Sequence, residues 1–157
     1  MPAQYSDKTI QALLNERKLL HPNYRSKIQL RDKRGHKERD IELDGENGNR
    51  FRLILRQSTH NPLDFSIILG VFPAKTNQLF RLRRYNGKSH EHTNLIEGNR
   101  FYSFHVHMAT ERYQELDMRE DGYAEATSRF SDFYSALRCM LEECGFDVPK
   151  NRQQRMF

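Results

Sequence analysis

Four histidines fall between positions 90 and 107 as two pairs of equal spacing, His90-Glu91-His92 and His105-Val106-His107. Residues two apart on a strand project to the same side, so each pair presents two imidazoles together. A hairpin-like connection through Asn94, Gly98 and Asn99 would bring all four rings together. Imidazole titrates near neutral pH and is the commonest side-chain metal ligand. The cluster therefore suits two chemistries: proton exchange between rings, or ligation of a divalent ion such as zinc.

The neighbouring residues extend this surface. Arg81 and Arg83 alternate with Phe80 and Leu82, which places the guanidiniums opposite the apolar side. His105 and His107 alternate in the same way with Tyr102, Phe104, Val106 and Met108. Histidines and arginines are thus expected on one polar face, where cationic groups can hold a phosphate. Arg81, Arg83 and Asn94 are the expected substrate-binding residues. Arg112 and Tyr113, in the segment after the second pair, join the four histidines as catalytic candidates, because functional groups gather where strands end.

The elements that must position these residues follow from periodicity. Residues 6–20 read as a helix, with Ile10, Leu13, Leu14 and Leu20 on one stripe and Glu16, Arg17 and Lys18 outside it. Residues 27–43 read as a charged hairpin turning at Gly35. Strands follow over 50–56, 65–72, 79–85 and 101–109, with Asn86-Gly87 as a turn. Asp121-Gly122 is expected to open a final helix that ends at Gly145. Helix, strands, helix implies an α+β fold. Its antiparallel sheet has about five to six strands, an N-terminal and a C-terminal helix pack on one face, and the other face is at least partly free and polar.

The chain has 157 residues, which suits one domain over 1–149 and a frayed polar tail over 150–157. Lys and Arg outnumber Asp and Glu by 26 to 21, a net charge of +5 that favours nucleic acid or an acidic protein as partner. Cys139 and Cys144 lie five apart, a spacing that suits neither a zinc pair nor a good disulfide; they read as small apolar residues of a reducing compartment. The absence of a leader or an apolar span points to a cytoplasmic protein with no membrane contact.

Three functions fit these features. The first is a metal-independent ribonuclease in which a histidine pair supplies acid and base and an arginine steadies the developing charge. The second is a divalent-metal site, zinc included, built from His90, His92, His105 and His107, with Glu91 or Glu111 as further ligands. The third is a binding module for nucleic acid or protein that uses basic strands near Tyr85, Phe101 and Tyr102.

The run from Phe51 through two strands to His90-x-His92-x-Asn94, then His105-x-His107 and Tyr113, resembles a family of small bacterial and phage proteins. That family has a similar strand pattern, an H-x-N step, an H-x-H strand and an R-x-G-Y-like segment. The match covers about residues 50–126, and Glu111-Arg112-Tyr113 stands where the family pattern has a glycine. The family's small size and mobile-element setting resemble those of toxin ribonucleases of toxin–antitoxin systems. The resemblance therefore implies an RNA-acting, toxin-like nuclease with an acidic inhibitor protein as partner; the metal-independent reading needs no cofactor, and the alternative is a divalent metal such as zinc.

Overall fold

A computed structural model describes residues 3–148. Helix α1 (Asp7–Asn15) starts where the Ser6 side chain accepts the Thr9 N–H, and it buries Ile10, Leu13 and Leu14. The two-residue strand β1 (Lys18–Leu19) and the short helix α2 (Tyr24–Lys27) follow. Next come β2 (Arg31–Lys33), β3 (His36–Asp44), β4 (Arg50–Ser58), β5 (Phe65–Phe72) and β6 (Phe80–Asn86). Beyond them lie β7 (His92–Thr93), β8 (Arg100–Phe101), β9 (His105–Met108), α3 (Glu111–Glu115), β10 (Tyr123–Ala126), α4 (Phe133–Glu143) and β11 (Phe146–Asp147).

Seven of these strands form one sheet in the order β10-β9-β6-β5-β4-β3-β2, and every neighbouring pair is antiparallel. Period-two alternation puts Phe51, Leu53 and Leu55 of β4 beside Ile67, Leu69 and Val71 of β5 on one face. That face packs on Leu137, Met140 and Leu141 of α4 and on the apolar stripe of α1. β1 pairs in parallel with β11 and ties the end of α1 to the end of α4. Gly145 permits this closure: its φ is +75°, and a Cβ there would lie 2.7 Å from the Glu16 carbonyl oxygen.

The expected α+β layout, with five to six strands and two flanking helices, does not hold. The described residues are mostly sheet, with seven strands in one layer and four short helices. Asp121-Gly122 opens no helix. Tyr123–Ala126 pairs with β9 as an edge strand, and α4 starts only after Asp132, whose carboxylate caps Ser135 N–H. Asn86-Gly87 is not a two-residue turn either. Residues 87–104 leave the sheet before β9 returns to pair with β6, and within them β7 and β8 form a small separate ladder. The proposed tail over 150–157 lies outside the described residues. Among the described residues no helix is long and apolar enough to cross a membrane.

Candidate metal centre

Strand β9 is buried on both faces. Val106 lies in the hydrophobic core, whereas His105 and His107, 0 % and 4 % exposed, project to the opposite face. That face was expected to be free. Instead the excursion over 87–104, here called the flap, folds across it and delivers His92. The His92 ring stacks on His105 with centroids 5.5 Å apart and meets His107 edge-on at 4.7 Å. Phe101 of the flap closes one side, 5.5 Å from His92 and 5.6 Å from His105. Across the sheet, His107 and His105 face Ala124 and Ala126 of β10, whose small side chains leave room for the flap.

Each ring of this triad is held by one nitrogen. Nδ1 of His105 donates to the Ser103 carbonyl at 2.8 Å, and Nδ1 of His107 to the Asp121 carbonyl at 2.8 Å. A carbonyl only accepts, so in each neutral ring Nε2 is the lone-pair atom. Nε2 of His92 donates to Asn94 Oδ1 at 2.8 Å, which leaves Nδ1 as its lone-pair atom. One ring nitrogen from each of the three lies within 4.8 Å of the others. Fixing the tautomer through the second nitrogen is how metal-binding histidines are aimed.

Asn94 carries this arrangement into the sheet. Its Oδ1 accepts the Ala124 N–H at 2.9 Å as well as His92, and its Nδ2 donates to the Ala124 carbonyl at 2.9 Å and to Asn99 Oδ1 at 3.1 Å. The carboxamide thus replaces a missing strand on the open edge of β10, with both of its ends satisfied. Asn94→Ala strips the edge of its partners and frees the His92 ring. It should lower stability by about 2 kcal/mol in urea unfolding, since buried polar groups left unpaired cost about 1–3 kcal/mol.

Charge around the triad is positive. Asp121, fully buried, lies among three guanidiniums: Arg119 Nε at 2.9 Å, Arg84 Nε at 3.3 Å and Arg81 Nε at 3.6 Å. Burial, reinforced by His92, His90 and Arg84, lowers His105 to a pKa of about 4. Burial, then Arg84, His105 and His92, lowers His107 to about 2. Both rings are therefore neutral lone-pair donors at physiological pH.

The other expected site residues divide. Arg81 lies on the histidine side, but Arg83 does not. Strands β5 and β6 shift register between Leu69 and Gly70, so that Leu69 faces Arg83 and Gly70 faces Arg81. The extra residue, Leu82, flips the alternation beyond it. Arg83 turns to Tyr85 and Glu143 on the helix face, and Arg84 takes the place beside His107. Arg112 and Tyr113 do not meet the imidazoles. Arg112 pairs with Glu97 in the flap's turn, and the Tyr113 hydroxyl donates to the other Glu97 oxygen at 2.7 Å and accepts the Ile96 N–H. They clasp the flap shut. His90 is exposed, 6.2 Å from His105 between centroids, and outside the convergent set. Glu91 pairs with Arg100, and Glu111 accepts the Asp7 N–H, so neither carboxylate joins. Tyr102 is half exposed instead of continuing the apolar face.

No protein family, characterised protein or solved structure matches the chain. Sequence periodicity overlooked Arg84, Asn86, Ser103 and Asp121, and it offered Phe101 only as an aromatic of a binding face. Asn86 was legible only as half of a turn signal, and Asp121 only as a helix start.

Proposed function

We propose that the chain is a divalent-metal protein whose ion is held by His92, His105 and His107. The observation that carries this reading is the set of three convergent imidazoles, two of them kept neutral by burial. Each is anchored through one nitrogen to an oxygen of the protein, and the three offer nitrogens within 4.8 Å of one another. Ligands about 2.0–2.1 Å from a tetrahedral zinc-type ion lie about 3.3 Å apart. The site thus needs a small contraction, which His92 on the flap can make while β9 holds the other two. The ion would polarise or activate an oxygen ligand placed beside Arg84.

Metal-free cleavage of RNA is less well supported by the same geometry. It needs one ring to give a proton near neutral pH, and the two central rings are kept neutral by burial and by Arg84. Of the four histidines, only His90 is exposed.

Untagged protein should bind close to one equivalent of Co²⁺ or Zn²⁺ by titration with elemental analysis. His105→Ala or His107→Ala should weaken binding by at least about 100-fold, the upper range for disturbed metal sites. His90→Ala should bind like the parent. Equal metal content in the parent and in His105→Ala would remove the reading.

A further inference from the structure

Asn86 is buried, 4 % exposed, and sits directly across the β6–β9 ladder from His105, on the imidazole side of the sheet. Its Oδ1 is enclosed and has no hydrogen-bond partner. Its Nδ2 donates a long hydrogen bond, 3.5 Å, to His105 Nε2, the ring nitrogen that carries the lone pair. A buried carbonyl oxygen without a partner is rare in a native fold and calls for an explanation.

We infer that Asn86 completes the metal centre as a fourth ligand through its carboxamide oxygen. The inference rests on the three-imidazole reading above. When an ion takes the His105 lone pair, the amide N–H aimed at that lone pair must give way. A half-turn about the Cβ–Cγ bond exchanges nitrogen for oxygen at the same place. An oxygen about 3.5 Å from a ligating nitrogen has the spacing that two donors adopt around one tetrahedral first-row ion. The turned NH₂ group then occupies the enclosure that now holds Oδ1, a loss that the new oxygen–metal bond outweighs. Three imidazoles and one amide oxygen form a neutral set without sulfur. Such a set suits a divalent ion of mixed nitrogen and oxygen preference and disfavours a thiophilic monovalent ion.

Cobalt titration of the full chain tests the assignment, with Co²⁺ as the probe and its visible absorption as the readout, together with melting of the metal-free protein. Asn86→Leu should leave the metal-free melting temperature unchanged, because removing an unpaired buried oxygen offsets the loss of the long bond to His105. The same variant should bind Co²⁺ about 10–100-fold more weakly and with a shifted visible spectrum. Asn86→Asp, nearly isosteric, should bind at least as tightly as the parent, since its oxygen is anionic. Parent-like affinity and spectrum in Asn86→Leu, while His105→Ala has lost binding, would overturn the role of Asn86 alone. A lowered metal-free melting temperature in Asn86→Leu would assign it to packing and overturn the ligand role too. Should Asn86→Leu fail to fold, weaker binding by Asn86→Asp would have the same effect. A parent chain that binds no more Co²⁺ than His105→Ala would sink the three-imidazole reading itself.

Discussion

Acidifying the protein from pH 7 to pH 4 is expected to remove about 5 kcal/mol of folding stability, an amount comparable to the whole stability of many domains. The source is His105 and His107, whose pKa values of about 4 and about 2 lie below the ordinary 6.5. In the unfolded chain both rings take up a proton as pH falls through 6.5, whereas in the folded chain both resist. The unfolded state therefore binds more protons throughout that window, and stability must fall with falling pH, by up to about 1.4 kcal/mol per unit for each ring. Carboxylates held low, such as Glu97 and Glu143, lose their contribution only in more acid solution. Their effect sets in near the ordinary glutamate value of 4.5 and overlaps only the acid end of the histidine window, so the slope between pH 7 and pH 5 reports the rings. Urea midpoints at pH 7, 6, 5 and 4 give the slope directly, and a His105→Gln, His107→Gln double variant should flatten it. Saturating Co²⁺ should steepen it, because the ion competes with the same protons. A parent slope no steeper than that of the double variant would mean that the rings are hydrated.

The same burial, with Arg84 beside it, keeps His105 and His107 uncharged. The proposed ion would need neutral, aimed ligands and, because Arg84 repels a dication as it repels an imidazolium, an arginine whose charge is partly balanced. Asp121 links the two requirements. Its carboxylate anchors Arg81, Arg84 and Arg119, while its carbonyl fixes the His107 tautomer. Arg84 is thereby held beside the rings without needing a ligand to pair it.

What the sequence disclosed was periodicity, and it succeeded where alternation is clean. Phe51, Leu53 and Leu55 mark β4, the 65–72 run marks a strand flanked on both sides, and three of the four paired histidines converge, with His90 left outside. Alternation failed at the bulge. In Arg81-Leu82-Arg83-Arg84 nothing in the residue types says which arginine crosses to the helix face. It failed again at Tyr123–Ala126, where four residues preceding an amphipathic helix carry no strand signature. Asn86-Gly87 resembles a tight hairpin, and only tertiary pairing reveals that the chain detours for a flap before returning. The covered histidine face follows from that detour, so no local pattern could have foretold the low pKa values.

Lys18→Met is expected to cost about 4 kcal/mol, near the middle of the range for breaking a buried charged network. Periodicity placed Lys18 on the solvent side of a long helix, yet its side chain is fully enclosed. α1 stops at Asn15, and the chain turns so that the ammonium enters the gap between two helix ends. The three N–H donors of Nζ are shared among four carbonyls, Leu13 at 2.9 Å, Leu14 at 3.0 Å, Glu16 at 2.8 Å and Cys144 at 2.8 Å. These belong to the last turns and caps of α1 and α4, where helix carbonyls lack partners and carry partial negative charge. The Phe51 ring lies beneath Nζ at 4.5 Å. Burial pulls the Lys18 pKa down to about 8, still high enough to keep the charge at neutral pH. Methionine matches the stem but leaves four enclosed carbonyls without a donor, which is why the hydrophobic gain does not offset the loss. For a chain of this size the loss corresponds to about 10 °C in melting temperature. A Lys18→Met protein melting within about 2 °C of the parent would show that water, not the ammonium, satisfies those carbonyls.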